Sequence, residues 1–195
     1  MRVIAGRARG RRLEAPRGRL VRPTADRVKE ALFSILGSRV DLEGAAVLDL
    51  FAGTGALGIE ALSRGATAAT FVEQDAGVRR ALNTNLERCA FTDRARVLGL
   101  AAQTGVLRLA GEGARFDGVL MDPPYGQGLV DRLLALIVEQ GILAPEGWAM
   151  AEHGADDRLR DSYGDLRLTT AKRYGNTVLS LFMVGARTRD DVAET

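Results

Sequence analysis

The chain has 195 residues, 46% of them hydrophobic, enough for one domain to bury an adequate core without covalent staples. The single cysteine, Cys89, excludes an intramolecular disulfide, and the single histidine, His153, sits in no cluster of metal ligands, so no metal is expected. No apolar run approaches the roughly 18 residues of a membrane span, and the arginine-rich opening lacks the apolar stretch of a secretory signal, so a cytoplasmic protein is expected.

The net charge of +2 is unevenly spread. Residues 1–29 carry ten basic side chains against two acidic ones, a surplus of +8 that leaves −6 for the rest. Such asymmetry points to a polyanionic partner. Within this stretch, residues 1–21 read as a basic hairpin extension, because Val3-Ile4 and Leu13 alternate with polar residues as two strands joined through 6–10 would. Thr24 is placed to cap a helix from Ala25 to Leu36, whose apolar face holds Val28, Leu32, Ile35 and Leu36. A strand over 45–50, a helix from Ala56 to Ser63 and a strand over 68–73 follow. Next come a helix from Ala76 to Ala90, with Cys89 on its inner stripe, a strand over 95–98 and a short helix over 103–111. A strand over 116–121, a helix from Gly128 to Gln140, a strand over 147–152 and an antiparallel pair, Leu166 to Ala171 with Thr177 to Phe182, complete the core. The main domain spans 22–185, and 186–195 read as a frayed tail. Strands alternating with helices imply an α/β fold, a parallel sheet with helices on both faces.

Two strand ends carry chemistry. The first is Asp49-Leu50-Phe51-Ala52-Gly53-Thr54-Gly55-Ala56-Leu57-Gly58, a strand, a glycine loop and a helix start. Glu73 ends the next strand, where a carboxylate can take both hydroxyls of a ribose. The spacing Gly53-x-Gly55-x-x-Gly58 also fits a dinucleotide loop, so a nicotinamide oxidoreductase is a rival. Asp49 at the mouth of the loop opposes a pyrophosphate and suits an amine-bearing ligand instead. S-adenosylmethionine has an ammonium, a sulfonium and a ribose but no phosphate, and it is the cofactor these residues suit.

The second strand end is Asp122-Pro123-Pro124-Tyr125. Two prolines fix two φ angles and remove two N–H donors, leaving a stiff corner of carbonyls, a carboxylate and an aromatic face. An exocyclic base amine is a weak nucleophile, because its lone pair is delocalised into the ring. The Asp122 carboxylate and the Pro123 carbonyl can accept its two N–H groups and turn the lone pair toward an electrophile. Pro124 stiffens the corner, and Tyr125 can stack on a base taken out of its stack.

With both motifs in hand, the chain resembles the class I methyltransferases of exocyclic amines, and more narrowly the bacterial 16S ribosomal RNA guanine-N2 methyltransferase family. Further matching stretches are Arg2-Val3-Ile4-Ala5-Gly6, Gly10-Arg11-Arg12-Leu13, the segment from Arg22-Pro23-Thr24 to Phe33, and Glu60 to Ala66. The resemblance implies a seven-stranded sheet with a reversed last strand and methyl transfer to a guanine of the small subunit or an assembly intermediate. It implies a cofactor site at Asp49, Phe51, Gly53, Gly55, Glu73 and Ala102, and RNA contacts from Arg7, Arg9, Arg11, Arg12, Arg22, Thr24 and Arg27. One departure stands out: the family carries Asn or Asp before an alanine after the third strand, where this chain has Ala101-Ala102. Adenine recognition then falls to backbone groups near Ala102 or to Gln103. An adenine-N6 methyltransferase on DNA or RNA, and a non-catalytic RNA-binding assembly factor, are the alternatives.

Overall fold

A computed structural model of the chain describes residues 1–15 and 23–185. Helices and strands alternate as α1 (Pro23–Gly37), β1 (Ala46–Leu50), α2 (Ala56–Ser63), β2 (Ala68–Val72), α3 (Ala76–Cys89), β3 (Ala95–Leu98), α4 (Ala102–Gly111), β4 (Phe116–Met121), α5 (Leu129–Glu139) and β5 (Leu143–Gly154). Three strands follow, β6 (Ser162–Tyr163), β7 (Leu166–Tyr174) and β8 (Thr177–Val184). The sheet order is β3-β2-β1-β4-β5-β8-β7-β6. The first five strands run parallel, and β8 enters antiparallel between β5 and β7. The reversed strand is as expected. The count is eight rather than seven because Ser162 and Tyr163 pair with the edge of β7, a stretch too short to show a period.

Strand alternation divides the core in two. Val47, Phe71, Leu120 and Met150 face α1, α2 and α3, whereas Leu48, Val72, Val119 and Ala149 face α4 and α5. His153 is buried and structural, with Nε2 2.9 Å from Ser180 Oγ and Nδ1 3.0 Å from the Gly154 carbonyl. Cys89 is buried as well.

Two expectations for the amino-terminal part need correction. Helix α1 begins at Pro23, so Thr24 lies in its first turn and is not its cap. Proline suits that opening position, where its missing N–H is not needed. The expected pair of short strands is a single bridge, Arg2 to Arg12. Around that bridge Val3 N–H still donates to the Arg11 carbonyl at 2.9 Å and Leu13 N–H to the Met1 carbonyl at 3.0 Å. Beyond it the Ile4 and Ala5 amides donate to the two Glu60 carboxylate oxygens at 2.8 and 3.0 Å, and Ala8 N–H donates to Ser63 Oγ at 2.9 Å. Lys29 Nζ donates to the Arg2 carbonyl at 2.7 Å and stands 3.4 Å from Glu60. Val3, Ala8 and Leu13 are buried in the core layer of α1–α3. The segment 16–22, with Arg22, and the tail 186–195 lie outside the described residues.

Candidate active site

The glycine loop sits at the carboxyl end of β1. Phe51 turns the chain with φ of 63°, a conformation rare for a bulky side chain and typical of functional corners. Gly55, with φ of 85°, makes the second turn into α2 at a place where a Cβ would lie 2.4 Å from Leu82 Cδ1. Gly58 serves close approach instead. A Cβ there would fall 2.3 Å from Phe71 Cε1 and 3.1 Å from Asp49 Oδ2. Asp49 Oδ2 accepts the Gly58 N–H at 2.8 Å.

This last contact revises Asp49. Its side chain is buried and does not line the cavity beyond the loop; it braces the first turn of α2 from behind. Burial pushes its pKa up to about 7, against the pull of the Gly58 amide. Gly58→Ala is therefore expected to lower stability by about 1–3 kcal/mol, as overpacking does, and to weaken cofactor binding with it. Thermal melting and calorimetric titration of one sample would check both.

The cavity occupies about 590 Å³ and is walled by the loop, the ends of β2 and β4, and the starts of α4 and α5. Phe51, Gly53, Glu73, Ala102 and Gln103 all line it. Glu73 accepts the Gly53 N–H at 3.0 Å through one oxygen and the Asp75 N–H at 2.8 Å through the other, so the carboxylate is held at the wall. Helix α4 opens at Ala102 without a side-chain cap, which leaves its first amides facing this wall. Three carboxylates, Glu73, Asp75 and Asp122, line the cavity, and no lysine or arginine does among the described residues. That lining repels a pyrophosphate and attracts a cation.

Asp122 lies just past the end of β4, open to the cavity yet ringed by protein atoms. Desolvation first, then the charges of Glu152 and Asp49, push its pKa up to about 8. Pro123 is buried and Pro124 exposed, and both line the same wall. Tyr125 is 41% exposed, its hydroxyl donating to Glu152 Oε1 at 2.5 Å and lying 3.0 Å from Thr177 Oγ1. Its ring thus stands beside Asp122 with one edge anchored. Asp157 clips the corner, accepting N–H groups from Gly126 at 3.1 Å and from Gly154 at 2.9 Å.

The family model described as conserved hypothetical protein 95 matches residues 1–183. The Escherichia coli protein named Ribosomal RNA small subunit methyltransferase D is 36% identical over 191 residues, which cover 98% of this chain and 93% of that one. YlbH of Bacillus subtilis is 39% identical over 182 residues, covering 93% and 98%. The chain belongs to this family. Among solved structures, Escherichia coli yhhF superposes with a TM-score of 0.83 at 36% identity, covering 96% of this chain and 99% of that one. An RNA methyltransferase from Salinibacter ruber, solved with S-adenosyl-L-homocysteine, shares the fold at a TM-score of 0.62 and 14% identity, covering 87% and 98%.

Several working residues of this family member carry no motif. Arg79 Nη1 donates to the Glu73 and Gln74 carbonyls at 2.9 and 2.7 Å and so fixes the turn that carries Glu73. Buried Asn85 takes the Glu14 N–H at 2.7 Å and gives its amide protons to the Glu14 and Thr54 carbonyls, tying the extension to the glycine loop. Glu152 holds Tyr125. An interior asparagine on a helix stripe was the one available hint; an arginine or a strand glutamate gave none. The extension presents Arg7, Arg9, Arg11 and Arg12 to solvent, and Arg27 is exposed on α1. Arg11 donates to the Arg88 carbonyl, and Arg88 pairs with Glu14 at 2.6 Å.

Proposed function

We propose that this protein transfers a methyl group from S-adenosylmethionine to the N2 amine of a guanine in 16S ribosomal RNA, within the small subunit or an assembly intermediate, in the cytoplasm. The observation that carries the reading is the Asp122 carboxylate, without a salt bridge or hydrogen bond among the described residues, on the wall of an acidic cavity behind a glycine loop. The donor set suits the cofactor. Glu73 can take the ribose hydroxyls, the carboxylate-lined wall suits the cationic end, and the Ala102 backbone or the Gln103 amide can meet the adenine.

When bound, S-adenosylmethionine supplies a methyl carbon made electrophilic by its sulfonium. The chain's own residues supply placement, which can account for about 7–11 kcal/mol of a barrier when the geometry is held. Asp122 and the Pro123 carbonyl accept the two amine protons and aim the nitrogen lone pair. Tyr125 packs on the face of the flipped base. A nitrogen that had gained the methyl group would be acidic, and the Asp122 carboxylate is placed to take its proton. The exposed arginines hold phosphates, which position an RNA without reading it, so the target is chosen by RNA shape.

Incubating the protein with small subunits and a methyl-labelled cofactor, then digesting the RNA to nucleosides, tests this. Label in N2-methylguanosine is expected. Label in N6-methyladenosine would overturn the choice of base, and no label in any substrate would favour an assembly factor.

A further inference from the structure

Glu152 stands one strand further along the sheet than Asp122, on the side away from the glycine loop. Met121 and Ala151 are register partners across β4 and β5, so Asp122 and Glu152 occupy the next position side by side. The Tyr125 hydroxyl donates to Glu152 Oε1 at 2.5 Å. Among the described residues Oε2 takes no hydrogen bond, and neither acid enters a salt bridge. Both groups hold their protons more tightly than ordinary carboxylates, chiefly through lost solvation. Two neighbouring carboxylates with no cation between them call for a ligand edge that presents neighbouring N–H donors.

Guanine has such an edge, with N1–H directly beside the N2 amine. Adenine and 2-aminopurine present a bare ring nitrogen beside their amines, and a carboxylate placed there repels it. Resting on the N2-methylation reading, we propose that Glu152 accepts the N1–H of the flipped guanine while Asp122 holds the adjacent amine, so that the pair of strand ends selects guanine. Tyr125 then acts twice, as the stacking face and as the hydroxyl that fixes Glu152 in line with the ring edge. Thr177 steadies that hydroxyl from β8.

The test uses small subunits reconstituted with either guanosine or 2-aminopurine at the methylated nucleotide, since both bases keep the N2 amine. The wild-type protein is expected to prefer guanosine by roughly ten- to a hundredfold in kcat/KM, the discrimination typical of one good base-edge contact. In Glu152→Gln, which preserves size and can still bond Tyr125, that ratio should collapse toward one, because the amide can donate to a bare N1. Tyr125→Phe keeps the stacking face but frees Glu152, so it should lower the preference part of the way, mainly by slowing guanosine. If Glu152→Gln slows guanosine and 2-aminopurine by the same factor, Glu152 is only the anchor of Tyr125 and the proposal falls. That result leaves N2 methylation intact, whereas absence of N2-methylguanosine from the wild-type product removes the reading beneath it.

Discussion

Asp122→Asn is expected to lower kcat/KM for methyl transfer by about 10²–10⁴-fold, the usual yield of a positioned proton acceptor, while the protein melts no lower than wild type. The amide still offers one acceptor to the base amine, but it loses the charge that favours proton departure and adds an N–H group facing a donor. Stability should hold or rise at neutral pH, because the unfolded Asp122 ionises freely whereas the folded one, desolvated beside Glu152 and Asp49, holds its proton, and an amide removes that difference. Wild-type rates in this variant would sink the assignment of Asp122 as amine acceptor.

The same residue sets a pH profile. Asp122 has its pKa raised from 3.8 to about 8 in the ligand-free protein. The acceptor must be ionised, so kcat/KM should climb about tenfold per pH unit below that value and level off above it. In the bound complex, the amine protons and a nearby sulfonium favour the charged form, so kcat should break at a lower pH than kcat/KM. Stability carries the opposite sign. The folded chain keeps a proton that the unfolded chain releases, so ligand-free stability falls as pH rises from the ordinary carboxylate range through about 8. Asp122→Asn should flatten both profiles, measurable by initial rates and by melting across the same buffers.

Much of the fold was legible because its signals are local. Helix α2 and strands β3 and β4 fall on the residues their periodicity marks, since each is bounded by glycine, proline or a charge. The strand-end rule placed Glu73 and the Asp122 corner on one cavity, and both line it. Asp49 was harder to place. In sequence, an acid just before a glycine loop looks the same whether it faces a ligand or braces the helix behind the loop. Only the 2.8 Å contact to Gly58 separates the two. Glu152, Arg79 and Asn85 were illegible for a different reason: each acts through a partner at least five residues away, on another element or loop. The amino-terminal pairing stays shorter than expected for the same reason: Glu60 and Ser63, more than fifty residues on, claim the Ile4, Ala5 and Ala8 amides.

Glu60 carries the largest expected effect on stability. It is fully buried on α2 and gathers the Ile4 and Ala5 amides, the Arg64 guanidinium at 2.9 Å and the Lys29 ammonium at 3.4 Å. Removing one partner of a buried charge pair costs about 3–5 kcal/mol, because the other charge stays behind uncompensated. Glu60→Gln should show a loss of that size, since an amide cannot accept from all four donors and points an N–H at one of them. Burial already lowers the Lys29 pKa, with Glu60 pulling it back up, so without Glu60 it falls further. Lys29 then binds its proton less tightly folded than unfolded, and stability recovers as pH rises toward its ordinary value of about 10.4. The deficit of Glu60→Gln should therefore shrink as pH rises toward about 10. Adding Lys29→Met should return part of it at neutral pH, with the orphaned Ile4 and Ala5 amides accounting for the rest. Because those amides belong to the extension that carries the exposed arginines, Glu60→Gln should also weaken RNA binding more than it weakens cofactor binding. A variant that melted like wild type at every pH and kept its RNA affinity would show that the extension docks by its apolar residues, Val3, Ala8 and Leu13, and not by this buried carboxylate.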